Sequence, residues 1–141
     1  MSERIILTDL DEQMQEAVAD TRQRVAKLHT ELPRWGLVVW TAGNVSERVV
    51  VDRGDGPVKT DLFVIKPSGV SYDELTADTM VVCTLDGEKI DDGTPASLTP
   101  SSDTAAHAYV YRHRGDVGGV VHTHSPYATA WAARREPIPC A

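Results

Sequence analysis

Apolar residues recur along the chain with two different periods. Met14, Val18, Thr21, Val25, Leu28 and Leu32 step by 4, 3, 4, 3 and 4, the spacing of one face of an amphipathic helix. That spacing predicts a helix from about Asp11 to Leu32, ended by Pro33. Beyond it the apolar runs are short and separated by turn residues. Leu37–Trp40 reads as a strand, Thr41–Asn44 as a turn, and Val45–Val51 as a second strand closed by the hairpin turn Asp55-Gly56. Asp61–Lys66 is a third strand, broken by Pro67-Ser68-Gly69. Met80–Thr84 pairs with Lys89-Ile90 around Asp86-Gly87. Thr104–Arg114 is a helix, Gly119–Thr123 a buried strand, and Pro126–Arg134 a last helix with proline in its first turn. Hairpins dominate this order, so the expected class is α/β with a mostly antiparallel sheet flanked by helices.

Composition narrows the function classes. The 141 residues suit one domain spanning 1–141. Fourteen basic against twenty-one acidic residues give a net charge of -7, and no basic face suited to nucleic acid is visible. An anion must therefore be held by a local site. No apolar run approaches the roughly 18 residues of a membrane span. Met1-Ser2-Glu3-Arg4 leads into an acidic segment, so no secretory signal is expected, and Cys83 and Cys140 are expected to be reduced in a cytoplasmic protein.

Four segments carry candidate chemistry. In His122-Thr123-His124, alternate strand residues share a face with Cα atoms roughly 6.5 Å apart, close enough for two imidazoles to converge on one metal. Two ordinary histidines at a strand end are the plain alternative. In Pro100-Ser101-Ser102-Asp103, Ser102 suits an N-cap and the first turn of the helix suits an anion. Asp103 either serves that helix end or completes a two-histidine metal site. His107, four residues on, is either an orienting partner or a packed core residue. Lys66-Pro67-Ser68-Gly69 is either a phosphate cradle or a turn with a solvated lysine. Gly43-Asn44, with Ser46 nearby, reads foremost as a turn.

Together these segments resemble a family. Thr41-Ala42-Gly43-Asn44-Val45-Ser46, Lys66-Pro67-Ser68-Gly69-Val70, Pro100-Ser101-Ser102-Asp103 and His122-Thr123-His124-Ser125 stand in the order and spacing of the class II aldolase/epimerase (adducin-head) family, from about Ala17 onward. The resemblance implies a three-layer αβα sandwich around a mostly antiparallel sheet. It implies a homotetramer with active sites between subunits. It implies a divalent metal, Zn2+ or a relative such as Mn2+, held through His122, His124 and Asp103, with Asp103 also catalytic. It implies phosphate binding by Asn44, Ser68, Gly69, Ser101 and Ser102, with Lys66 beside them.

Epimerases of the family resemble this chain in having Asp at position 103, where the aldolases usually have Glu. The activity implied is thus 4-epimerisation of a ketopentose 5-phosphate in pentose (arabinose) catabolism, by cleavage and re-formation of the C3–C4 bond. A class II sugar-phosphate aldolase and a non-catalytic adducin-head binding module are the alternatives. The family's domain is longer. Its third metal histidine and its proton-transfer groups fall beyond the point matching Ala141, so the chain is expected to be C-terminally truncated, with little or no turnover of its own.

Overall fold

The computed structural model describes residues 4–140, so the readings placed on Met1–Glu3 and Ala141 lie outside the described residues. Asp11 caps the first helix, α1 (Glu12–Arg34), its side chain accepting from the Met14 amide at 3.0 Å. Pro33 does not end this helix but lies inside its last turn. The Trp35 and Gly36 amides close that end on Glu31 and Pro33 carbonyls. The buried stripe of α1 is Val18, Thr21, Val25, His29 and Leu32. Leu28, expected in the core, is 47% exposed, and His29 takes its place because 3.6 residues per turn carries the stripe one position further.

Four strands follow: β1 (Asn44–Asp52), β2 (Pro57–Ile65), β3 (Val81–Thr84) and β4 (Gly119–His122). They form one sheet of order β3-β2-β1-β4, antiparallel at every pairing. The remaining helices are α2 (Thr104–His113) and α3 (Pro126–Arg134). The expected strand at Leu37–Trp40 is absent. That segment is a loop with Trp40 at φ 56°, joined to the rest by local turn bonds and by one bond from the His124 amide to the Leu37 carbonyl rather than by a ladder. Lys89 contributes only an isolated bridge to Cys83.

Alternation along the strands sorts the side chains into two cores. Val49, Leu62, Val64 and Val82 pack against Val18 and Val25 of α1. Phe63, Ile65, Val81 and Cys83 pack against Ala108 and Tyr111 of α2 on the other face. The result is the expected three-layer αβα sandwich with an antiparallel sheet between the helices. Gly119–Thr123 had been expected to be buried. Its strand, β4, lies instead at the sheet edge, and Val121 is 59% exposed on it. Helix α3 buries no residue among those described. Among the described residues no helix is long and apolar enough to cross a membrane. Cys83 is buried and Cys140 exposed, and neither is in a disulfide.

Candidate functional site

The register of β1 on β4 builds the site. Asn44 is paired with His122 across the antiparallel ladder, so both side chains leave the same face of the sheet. That face carries α2, whose first residue follows directly on Asp103. Asp103 stands at the cap position, its carbonyl accepting from the His107 amide at 3.1 Å, but its side chain accepts no backbone hydrogen bond. Ser101 shapes the turn that leads into α2, its Oγ accepting from the Asp103 amide at 3.3 Å and its carbonyl from the Thr104 amide at 3.0 Å. The expectation that Ser102 caps α2 is therefore corrected: Asp103 holds the N-cap position, and its side chain makes no capping hydrogen bond. The Asp103 carboxylate is left free for side chains. One oxygen, Oδ2, accepts from Asn44 Nδ2 and from His122 Nδ1, each at 2.7 Å.

That arrangement sets the protonation. Burial alone would push the Asp103 carboxyl up, but hydrogen bonds from His122 and Asn44 outweigh it and hold it below the ordinary carboxylate range. An ionised Asp103 can only accept, so His122 donates from Nδ1, and among the described residues its Nε2 has no hydrogen-bond partner. His124 lies past the end of β4, anchored by its amide to the Leu37 carbonyl at 2.7 Å. The two imidazoles still meet, with centroids 4.8 Å apart.

Two loops form the opposite wall. The segment after β2 and the segment before α2 are joined backbone to backbone: Ser68 N–H donates to Thr99 O at 2.8 Å and Ser101 N–H to Lys66 O at 3.1 Å. Ser68 and Ser102 hydroxyls and the Gly69 amide have no protein partner among the described residues. Lys66 is not the solvated lysine of a plain turn. It is 2% exposed, with Nζ donating to Thr41 O at 3.2 Å and Pro67 O at 3.3 Å, and burial lowers its pKa. Among the described residues no carboxylate pairs with it.

Asn44, Lys66, Ser68, Gly69, Ser101, Ser102, Asp103, His122 and His124 all line one cavity of about 340 Å3. Each of the four sequence segments thus contributes to one place, while Ser46 and His107 lie outside its lining. Their roles toward a ligand are a separate matter. Asn44 Oδ1 is buried without a partner, while its Nδ2 also donates to Ser101 Oγ at 3.0 Å.

Whether these residues suit a metal can be tested on the same geometry. Among the described residues no cluster of three or more His, Cys, Asp or Glu side chains is arranged to hold one. His122 and His124 fit two positions of a divalent ion, because both rings are adjacent and His122 Nε2 is free. Asp103 stands behind His122 on its other ring nitrogen, the usual place of a carboxylate that orients a ligating imidazole.

His107 is a packed residue, 2% exposed, with Nδ1 at 2.7 Å from Ser46 Oγ, which also meets Tyr111 Oη at 2.6 Å. Desolvation lowers its pKa to about 4, so it is neutral. Two residues missed in the sequence support the site. His29 Nε2 accepts from the Val45 amide at 2.9 Å, which fixes its proton on Nδ1 facing Val25 O at 2.7 Å. Tyr72 Oη donates toward the Ala42 and Gly43 carbonyls. The position of His29 on the α1 stripe, between Val25 and Leu32, was the signal available for the first. Nothing local marked the second.

The family described as Class II Aldolase and Adducin N-terminal domain matches residues 23–141. The chain belongs to this family. Among curated proteins, class II relatives named L-ribulose-5-phosphate 4-epimerase UlaF are similar to it. The one from Salmonella paratyphi C is 47% identical over 84% of this chain and 46% of its own length. The Mycoplasma pneumoniae protein, named as a probable enzyme of that kind, is 44% identical over 89% of this chain and 48% of its own. The chain therefore spans about half the length of the curated relatives it matches. A solved L-fuculose 1-phosphate aldolase superposes with a TM-score of 0.69 at 31% identity, covering 85% of this chain and 51% of that one. The class II aldolase fold seen there is the αβα sandwich described above.

Proposed function

We propose that this class II aldolase-family chain supplies the phosphate wall and two of the metal imidazoles of an L-ribulose-5-phosphate 4-epimerase. The observation that carries the reading is the convergence of all four sequence segments on one cavity, with buried Lys66, which has no carboxylate partner among the described residues, in its lining. The identity of 44–47% to relatives named as that epimerase supports the sugar. Asp at position 103 favours epimerase over aldolase, and retained His122 and His124 favour enzyme over adducin-head binding module.

In this reading the phosphate of the substrate takes hydrogen bonds from the Ser68 and Ser102 hydroxyls and the Gly69 amide, with Ser101 and Asn44 at its edge and the Lys66 charge beneath. His122 and His124 hold Zn2+ or Mn2+, which when bound supplies Lewis acidity for the cleavage of C3–C4. Asp103 holds the Nδ1 proton of His122 and keeps the ring facing the cavity. The grip on phosphate retains the two-carbon aldehyde while it turns its other face, and the bond re-forms with C4 inverted. The same reading includes a cytoplasmic homotetramer, measurable by light scattering.

Calorimetry with zinc and L-ribulose 5-phosphate tests it, alongside a coupled assay for the 4-epimer. Stoichiometric zinc that is lost in His122→Ala, and binding that needs the phosphate group, are expected. An apo protein indifferent to His122→Ala, or equal affinity for unphosphorylated L-ribulose, would sink the proposal.

A further inference from the structure

Tyr72 does not line the cavity, yet it holds the loop that does. Its hydroxyl carries one proton, shared between Ala42 O at 2.9 Å and Gly43 O at 3.0 Å. Lys66 Nζ holds the preceding carbonyl, Thr41 O, and sits 5.4 Å above the Tyr72 ring. Three consecutive carbonyls of the 41–43 loop are therefore gripped from the strand-to-loop segment that also bears Ser68 and Gly69.

The loop is most closely packed at Gly43. Gly43 is at φ +75°, and a Cβ there would lie 2.4 Å from Val38 Cγ1, 2.9 Å from His122 O and 3.5 Å from Tyr72 Oη. Gly43 is thus pinned between Tyr72 on one side and β4 on the other. On its far side, the Val45 amide is held by His29, whose ring lies 6.0 Å from that of Tyr72. Asn44 stands between these two anchored residues, with its side chain in the cavity.

We propose that Tyr72 is a positioning residue for the phosphorylated substrate: its hydroxyl sets the distance between Asn44 and the Ser68-Gly69 wall, and so the affinity for a sugar phosphate. This rests on the reading of the cavity as a sugar-phosphate site. The ring and the hydroxyl do separable work. The ring packs in the small core of Leu32, Val38 and Val45, and phenylalanine keeps it. Burial raises the phenol to about 12, so the hydroxyl stays a donor throughout the working range.

The test is Tyr72→Phe in the full chain, with three measurements. Calorimetry reads affinity for L-ribulose 5-phosphate. NMR hydrogen exchange reads the Gly43, Asn44 and Val45 amides without ligand. A chelator competition reads zinc affinity. The expected result is about tenfold weaker sugar-phosphate binding, about tenfold faster exchange at 43–45 and zinc affinity within twofold of the parent. Incorporating p-aminophenylalanine at 72 restores a donor and should return both altered readings. Sugar-phosphate affinity and exchange both within twofold of the parent would overturn the proposal, as would zinc and sugar-phosphate binding falling together. If the parent chain binds no sugar phosphate, the reading of the cavity fails. Unchanged exchange in Tyr72→Phe then also refutes the positioning role, and faster exchange upholds its hold on Asn44.

Discussion

Replacing Asp103 by asparagine separates three roles for one carboxylate: helix cap, metal ligand and orienting partner of His122. Both of its side-chain hydrogen bonds fall on the same oxygen, each at 2.7 Å. An asparagine with its carbonyl in that place can accept both bonds without moving a neighbour. Only the charge is lost, which turns two charge-assisted bonds into neutral ones of roughly half the strength. No backbone amide depends on this side chain, so α2 should keep its stability to within about 0.5 kcal/mol. Zinc affinity should fall by about 10–100-fold, the usual consequence of removing an orienting partner, which is about 1.4–2.7 kcal/mol. The assay is competition for zinc against a chromogenic chelator, with a thermal melt of the apo protein beside it. Zinc affinity within twofold of the parent would refute the orienting role and leave Asp103 only as the acceptor that holds Asn44. A loss beyond about a thousandfold would make it a direct ligand instead.

Other consequences follow from the same geometry. His29 and His107 are both neutral in the fold, lowered by burial to about 4 from the ordinary 6.5. The unfolded chain therefore binds more protons than the folded one between those values, so stability should be constant above about pH 6.5 and fall as pH drops toward 4. Urea melts across that range check it, and a flat midpoint would contradict the buried neutral pair. Gly43→Ala adds a Cβ in a positive-φ position against Val38 and the His122 carbonyl, and should cost about 3 kcal/mol by chemical denaturation. A cost under about 0.5 kcal/mol would mean the loop shifts freely, and would weaken the case for Tyr72 as well.

Much of the architecture was legible because it rests on local rules. The α1 stripe, the turn at Asp55-Gly56 and the proline opening α3 are all readable from spacing and turn chemistry, and all appear. The errors share a cause. Leu37–Trp40 has the composition of a strand, but positive φ at Gly36 and Trp40 breaks the extended run at both ends, and its contact with the end of β4 is the one bond from the His124 amide to Leu37 O. β4 is apolar enough to be central, yet its place at the edge depends on pairing with β1 alone. Pro33 could remain in α1 because a last-turn proline can be tolerated when the following amides bond back into the helix.

The four short motifs, and the kind of chemistry they could share, were determined by the sequence, since spacing and side-chain identity are local properties. What the sequence left open was which oxygen or nitrogen each group would spend. Ser102 and Asp103 are equally good caps on paper, but Asp103 takes the cap position while its side chain goes to Asn44 and His122. Lys66 reads as a surface turn residue, but the crossing of two loops buries it under Tyr72. Partners brought together across 19 to 59 residues decide these outcomes. A hydrogen bond goes to whichever group the fold brings within about 3 Å, and that distance is set by the register of β1 on β4 and the packing of α2, not by neighbours along the chain.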